Sequence, residues 1–297
     1  MRIVLAHQGW PSVAAADLAA GHPWPNGSTF KVVTSIEPGA AHLPTFPSFA
    51  EALVMAEHVR AEAEADQREV LDSLASRGWS VAGEIAYGRA ASNLITQARG
   101  FRADLLVVDG QPDSTGAAAD WSIVLELLDT APCPVLVVRR SVISRILLGT
   151  DGSAGARLAE AYLVESPALA DLPIVVVSVA ETAHVIATRV FAPVGRFGSD
   201  EIAERRDRHR DFAESAATRL TGSGRDVRAL VRSGDVATEL ASAAALVGAD
   251  LVVLGSDDRR GLSRILIGSV ARDVIARSDA SVLIVRAKPD GLTAGAS

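Results

Sequence analysis

Cysteine is almost absent from this sequence, which contains only Cys133. An internal disulfide bond and a metal cluster built from several cysteines are therefore excluded, which fits a reducing compartment. Because Cys133 stands directly before Pro134 and an apolar run, we expect an inert core thiol. The six histidines also show none of the paired spacings that are typical of metal ligands, so no metal site is predicted.

Long hydrophobic runs and an excess of positive charge are missing as well. No stretch approaches the roughly 18 apolar residues that span a bilayer, and the first apolar run is too short for a signal peptide. The formal net charge of −7 gives no overall attraction to DNA or anionic lipid. We therefore expect a cytoplasmic protein that binds neither nucleic acid nor membranes. Lys31 and Lys288 are the only lysines, and this arginine- and alanine-rich composition is typical of a GC-rich bacterial genome.

One sequence pattern is present twice. CPVLVVRR at 133–140 matches ASVLIVRA at 280–287, and ADLLVVDG at 103–110 matches ADLVVLGS at 249–256. Nearer the start, RIVLAHQG at 2–9 matches RILLGTDG at 145–152. Self-similarity of this length indicates two copies of one domain. We place these domains at 1–140 and 144–288, followed by a flexible tail at 289–297.

Each copy contains five short apolar runs, which are expected to be strands, and these alternate with four helical patterns. The runs are rich in Val, Ile and Leu and are continuous, as expected for strands that are buried on both faces of a parallel sheet. The sequence therefore predicts an α/β tandem repeat of two doubly wound, five-stranded, Rossmann-like domains. The last strand of each copy is expected at a sheet edge, and pairing of these two edges would give an intramolecular pseudo-dimer, with a homodimer as a further option.

One helical pattern of the second copy has a clear apolar face. Its members are Ile202, His209, Phe212, Ala213, Ala216 and Leu220. A histidine on such a face is most often a packed or partly exposed core residue, and His209 is interpreted in that way.

Four segments of the second copy follow strands, and parallel strands bring such segments to one edge of a sheet. They are Gly149–Ser153, Ser178-Val179, Ser233–Asp235 and the loop GSDDRRGLSRILIGSV at 255–270. Taken alone, Asp151 or Ser153, and Asp235, are typical helix N-caps.

The loop at 255–270 has features of a phosphate site. Gly255 allows close approach or a positive φ, and Gly268-Ser269 stands where a helix begins, with free N–H groups and a hydroxyl. The loop lacks the Lys of GxxxxGK[ST] and also lacks GxGxxG, so neither of the common phosphate loops explains it.

The same residues resemble a pattern of the universal stress protein family, which is G-x-x-G, nine residues, then G-S or G-T after strand four. Gly255, the nine residues 259–267 and Gly268-Ser269 match, whereas Asp258 stands at the second glycine. Asp151 after strand one and the endings CPVLVV and ASVLIV also resemble the family. The chain is similar to its tandem form, which implies a fold of the adenine nucleotide alpha hydrolase type.

This resemblance implies an ATP or related adenine nucleotide site in the second copy, with Mg²⁺ or Mn²⁺ as an accompanying cation. Asp151 and the backbone of Val179 would meet the nucleoside. The residues that would line the phosphates are Leu254, Gly255, Ser256, Gly268, Ser269 and Val270. Asp258 would oppose the phosphates unless a divalent cation bridges them or Arg259, Arg260 and Arg264 offset its charge. The implied role is stress response or regulation by binding, without catalysis.

The first copy departs from the pattern. Gln8 stands at the position of Asp151, Asp109 at that of Gly255 and Trp121 at that of Gly268, while Ser122 matches Ser269. We expect a degenerate site there. The alternative is a nucleotide-free interaction scaffold in which both sites are closed. A weak ATP hydrolase is a third option, but no base is visible near Ser269.

Overall fold

The computed structural model describes residues 1–7, 13–37, 49–110, 119–182, 199–222, 224–256 and 268–286. The chain divides into two compact units, Met1–Ser141 and Val142–Ala287. The predicted tail at 289–297 and Asp258 lie outside the described residues.

The described part of the first unit alternates strands and helices. The elements are β1 (Arg2–His7), α1 (Val13–Gly21), β2 (Thr29–Ile36), α2 (Phe49–Ser76), β3 (Ser80–Tyr87), α3 (Ala90–Gly100), β4 (Leu105–Asp109), α4 (Ala119–Thr130) and β5 (Val135–Val138). Within this unit the strand order is β3-β2-β1-β4-β5. All of these pairs are parallel.

The second unit repeats this order. Its elements are β6 (Ile146–Gly149), α5 (Ala154–Glu165), a 3-10 turn (Pro167–Leu169), β7 (Ile174–Ala180), α6 (Ser199–Thr221), β8 (Val227–Ser233), α7 (Val236–Val247), β9 (Leu251–Gly255), α8 (Ser269–Arg277) and β10 (Ser281–Val285). The strand order is β10-β9-β6-β7-β8, again all parallel. The predicted α/β fold with two five-stranded parallel sheet domains is confirmed.

The continuous apolar runs form the buried strands, as their composition predicts. Every residue of β6 and β10 is buried. The strands β3 and β8 end the order within their units and carry exposed residues. Covering helices require strands with apolar side chains on both faces, which explains the absence of polar alternation in the central strands.

The helix α6 uses most of its predicted apolar face. Ala213, Ala216 and Leu220 are fully buried. Ile202, which the pattern placed on the same face, is 54% exposed, so that part of the prediction is wrong. Ile202 lies in the first turn of α6, whereas the buried residues of this face lie in its later turns.

The first strand of each unit marks the point at which the chain reverses direction across the sheet. In the second unit β6 lies between β7 and β9, so the connections after β6 and after β9 leave on opposite sides. A crevice forms outside the carboxyl ends of strands at such a point, and ligands of doubly wound folds bind there. The turn after β6, the end of β7 and the end of β9 meet at this edge.

Candidate functional site

The turn after β6 is held by short-range hydrogen bonds. Asp151 Oδ1 accepts from the Ser153 N–H at 2.9 Å, and Ser153 Oγ caps α5 by accepting from the Ala156 N–H at 3.2 Å. Gly152 has a φ of +73°, and a Cβ there would lie 2.6 Å from the Phe212 ring. The capping interpretation of Ser153 is therefore confirmed. Asp151 supports the same turn while it remains exposed at the edge of the sheet.

The backbone of Val179 lies beyond the end of β6. The Thr150 N–H donates to the Val177 carbonyl at 2.9 Å, and this bond is the last of the β6–β7 ladder that the backbone supplies. Alternate residues of a parallel strand direct their N–H and C=O groups to the same neighbour. Val179, two residues after Val177, therefore directs its backbone groups into the space where β6 has ended. This is the place at which the sequence predicted a backbone contact.

A hydrogen-bonded chain joins α6 to this edge through β7. Ser178 is fully buried, and its Oγ donates to the Thr150 carbonyl at 2.7 Å. The Nδ1 of His209 lies 2.8 Å from the same Oγ. The His209 ring also meets the edge of Phe212, with centroids 5.6 Å apart and planes at 81°.

Sequence reasoning missed the position of His209. The residue was interpreted as a packed or partly exposed helix residue, and its half-buried side chain agrees with this. The pattern did not show that His209 lies at the carboxyl ends of β6 and β7. Ser178 supplied the available signal, because a hydroxyl within the apolar run IVVVSVA needs a buried partner. Burial lowers the pKa of His209, the carboxylates of Asp151 and Glu181 raise it, and the guanidinium groups of Arg208 and Arg205 lower it.

Gly255 is required for packing within the protein. A Cβ at this position would overlap the carbonyl oxygen of Gly155, and would also crowd the Ala156 nitrogen at 2.8 Å. Gly255 does not have a positive φ. Of the two uses that the sequence suggested for this glycine, the structure shows close approach, and the approaching backbone is the first turn of α5.

Ser256 and the start of α8 complete the edge. Ser256 is buried, and its N–H donates to the Val285 carbonyl at 2.8 Å. Gly268 occupies the N-cap position of α8 and has no side chain with which to cap the helix. Gly268 and Ser269 are both exposed, while Val270 is half-buried. Because α8 runs back to the start of β10, its first turn lies at the carboxyl end of the sheet, where its N–H groups form a partial positive charge.

Asp235 is structural. Its Oδ1 caps α7 by accepting from the Thr238 N–H at 3.0 Å, as the sequence suggested, and it also accepts from Arg277 at 3.3 Å. The segment Ser233–Asp235 therefore fixes α7 against α8.

The first unit uses carboxylates at the corresponding edge. Asp109 Oδ2 accepts from the Ala15 N–H in the first turn of α1 at 3.2 Å, and Glu37 Oε1 accepts from the Ala90 N–H that begins α3 at 2.7 Å. Trp121 and Ser122 lie inside α4, which begins at Ala119. Trp121 is therefore a residue of the first helical turn, whereas Gly268 is the N-cap of α8. Gln8 lies outside the described residues.

The described residues add two observations about ligands and membranes. No group of three or more His, Cys, Asp or Glu side chains that could hold a metal ion is found among them. None of the helices in the described ranges is long and apolar enough to cross a membrane.

Comparison with solved structures identifies the fold of both units. A universal stress protein from Archaeoglobus fulgidus is similar over 96% of this chain and 98% of its own, with a TM-score of 0.65 and 14% identity. A putative universal stress protein from Pseudomonas aeruginosa covers 96% of this chain and 92% of its own, with a TM-score of 0.57 and 18% identity. Likeness at these identities concerns the fold alone. A universal stress protein family protein from Arabidopsis thaliana with AMP bound covers 48% of this chain and 91% of its own, with a TM-score of 0.35 and 14% identity.

Sequence comparison matches the second unit to a protein family. A search of curated proteins found no significant match. The model of the universal stress protein family matches residues 143–286, which is nearly the whole second unit. The second unit therefore matches the universal stress protein family, which its glycine pattern and strand endings resemble.

Proposed function

We propose that the second unit binds ATP or a related adenine nucleotide at the carboxyl ends of β6, β7 and β9, and that binding serves stress response or regulation. The observation that carries this proposal is the first turn of α8. Its N-cap is the exposed Gly268, its first residue Ser269 is also exposed, and it begins at the switch point of the sheet. Such a helix start attracts phosphate through its free N–H groups.

The other predicted residues have complementary positions. The exposed Asp151 carboxylate is suited to accept hydrogen bonds from ribose hydroxyls, and the backbone groups of Val179 are suited to the edge of a base. Leu254, Gly255 and Ser256 end β9 beside them. These positions support a nucleoside near β6 and β7 with its phosphates toward α8.

The proposed role of Asp258 and of a divalent cation rests on the sequence. In this proposal Mg²⁺ or Mn²⁺ accompanies the triphosphate. The role is binding, with no catalytic residue assigned. Pairing of the two units through their last strands, and a homodimer, also remain predictions from the sequence.

The test is calorimetric titration of the full chain with ATP and with adenosine. We expect one ATP site per chain. The variant Ser269→Asp adds a negative charge at the α8 start, where the helix dipole favours it, so the fold is retained while phosphate is repelled. ATP affinity should fall by about tenfold or more, and adenosine affinity should change little.

The matched control is Ser122→Asp in the first unit, which adds the same charge at an exposed position of α4. This control should bind ATP like the wild-type chain. Equal weakening by both variants would point to a nonspecific charge effect, and two equivalent ATP sites per chain would show that the first unit also binds. No ATP binding by the wild-type chain would leave the scaffold function in place of the nucleotide function.

A further inference from the structure

The hydrogen bonds around Ser178 determine which nitrogen of His209 carries the proton. A serine hydroxyl has a single hydrogen to donate. Ser178 Oγ lies 2.7 Å from the Thr150 carbonyl oxygen, which can only accept, so the hydroxyl hydrogen is directed there. The contact of 2.8 Å between Ser178 Oγ and His209 Nδ1 must then be a bond that Nδ1–H donates. Neutral His209 is therefore protonated on Nδ1 and carries its lone pair on Nε2.

The second ring nitrogen has no protein partner among the described residues, and the side chain is half-buried. His209 is bonded to Ser178, which precedes Val179, and through Ser178 to Thr150, which precedes Asp151. The imidazole is thus linked by hydrogen bonds to the residues directly before the two positions at which the nucleoside is proposed to bind. The edge contact with Phe212 restricts rotation of the ring.

Protonation changes only one side of this ring. The Nδ1–H donates to Ser178 in both the neutral and the charged form, so the link to Thr150 survives a fall in pH. The Nε2 atom changes from an acceptor to a donor. Any ligand group that donates to Nε2 therefore loses its acceptor when His209 becomes protonated.

Charges of both signs face the ring from the elements around it. Asp151 lies in the turn after β6 and Glu181 follows β7, and both favour the protonated form. Arg205 and Arg208 lie on α6 itself and oppose protonation, as does burial. With burial as the largest of these effects, the pKa of His209 lies below its ordinary value.

We propose that His209 is a ligand-recognition residue of the second unit, whose Nε2 accepts a hydrogen bond from a hydroxyl or amino group of the nucleoside, and that protonation of His209 weakens nucleoside binding. This inference rests on the proposed nucleotide function and adds a recognition group and a pH response to it. Uncharged adenosine is the probe that isolates the effect, because a positive imidazole also attracts the phosphates of ATP.

The first test uses His209→Asn in the full chain. The Asn amide N–H can replace Nδ1–H as the donor to Ser178, but the residue has no counterpart of Nε2. At about pH 8 the variant should bind adenosine about tenfold more weakly than the wild-type chain. Its adenosine affinity should also lose the decrease that the wild-type chain shows toward about pH 5.5.

The control for this test is His7→Asn in the first unit. His7 Nδ1 lies 3.2 Å from Thr34 Oγ1, and burial lowers the pKa of His7, with Asp66 raising it in part. His7 therefore matches His209 as a half-buried histidine whose Nδ1 contacts a hydroxyl group. Its replacement should leave the adenosine affinity and its pH dependence unchanged.

A second measurement needs no variant. Nuclear magnetic resonance of ¹⁵N-labelled histidine in the wild-type chain gives the tautomer and pKa of His209 directly. A ligand that binds the neutral form preferentially must lower the pKa of that group by linkage. We expect an Nδ1-protonated neutral ring and a lower pKa of His209 at saturating adenosine.

The results separate this inference from the proposed function. ATP binding by the wild-type chain, combined with an unchanged pKa of His209 on adding adenosine or with adenosine affinity unchanged in His209→Asn, would overturn the role of His209 and leave the nucleotide site standing. A wild-type chain that binds neither ATP nor adenosine between about pH 5.5 and about pH 8 would overturn both.

Discussion

The two units have the same strand order, yet they use the carboxyl ends of their strands differently. In the first unit the last residue of β4 is Asp109, and its carboxylate accepts from the first turn of α1. In the second unit the corresponding residue is Gly255, which lets the backbone of α5 approach β9 directly. At this position the first unit therefore has a hydrogen bond from helix α1 to a carboxylate, whereas the second unit has direct contact between the backbones of β9 and α5.

The polar groups beneath this edge differ in the same way. In the first unit the buried amide of Gln67 donates to the Thr34 hydroxyl at 2.9 Å, and also to the carbonyls of Val32 and Glu84. In the second unit Nδ1 of His209 contacts the Ser178 hydroxyl at 2.8 Å, and the other ring nitrogen has no partner among the described residues. The carboxylate of Glu37, which follows β2, accepts from the first N–H of α3. The contacts of Gln67 and Glu37 thus use polar groups of the first unit within the protein. Among the described residues of the second unit, Asp151 and the start of α8 are exposed and Nε2 of His209 has no protein partner, and the proposed ligand site rests on these groups.

The largest expected effect comes from giving Gly255 a side chain. Gly255→Ala should cost about 3 kcal/mol of unfolding free energy, because the added Cβ meets the backbone of Gly155 and neither backbone can move without disturbing the sheet. Urea denaturation measures this cost. Gly222→Ala, where a Cβ would lie 3.6 Å from its nearest neighbour, is the control and should change stability little. Equal stability of both variants would contradict the close packing of β9 on α5.

Replacing Asp258 tests whether its carboxylate weakens ATP binding by the second unit. The residue lies outside the described ranges, so this expectation comes from the sequence. Asp258→Gly restores the family pattern and removes a negative charge from the loop. ATP affinity measured without divalent cation should rise by about tenfold, on the order of 1 to 2 kcal/mol.

The same variant separates two roles of this carboxylate. If Asp258 instead helps to hold a cation on the phosphates, the glycine variant should bind ATP more weakly with Mg²⁺ or Mn²⁺ present and normally when the metal is chelated. Calorimetry of both proteins with and without metal distinguishes these results. Unchanged affinity in all four titrations would remove Asp258 from the site.

Removing the carboxylate of Asp109 tests its structural role in the first unit. Asp109→Ala should lower the free energy of unfolding by about 1 kcal/mol, since an N–H in the first turn of α1 loses its acceptor. ATP affinity should not change. Ser153→Ala, which removes the cap of α5, is the matched variant and should cost a similar amount. An Asp109→Ala protein with unchanged stability would show that the hydrogen bond from α1 to this carboxylate does not stabilise the first unit.

The smallest expected effect is a pH dependence of stability. Burial lowers the pKa of both His7 and His209 in the folded chain. The unfolded chain therefore binds more protons once the pH falls below the ordinary value of about 6.5, and the free energy of unfolding decreases until the folded pKa values are passed. Denaturation curves from neutral to mildly acidic pH should show this decrease, and His7→Asn with His209→Asn should reduce it. A pH-independent difference between the proteins would contradict the assignment.

Several site features could be predicted because they depend on local sequence. The sequence indicated Asp151 or Ser153 as one helix cap and Asp235 as another, and the structure shows Ser153 and Asp235 in these roles. The position of the candidate site at the strand ends followed from the strand and helix order. The prediction for Ile202 was wrong, because periodicity gives the face of a helix but not how many of its turns pack against the sheet.

The amino-acid sequence alone determined that the chain contains two copies of one α/β domain, since buried parallel strands require continuous apolar runs and the runs recur in the same order. It also determined which copy keeps the glycine pattern of the family. The tertiary structure decided what the polar groups do. Ser178 and His209 are far apart in the sequence, and only the packing of α6 on β7 brings them within 2.8 Å. From the sequence, Gly255 is predicted to let a ligand approach, but in the fold the backbone of Gly155 lies against it. Local sequence does not specify which distant backbone packs against a glycine.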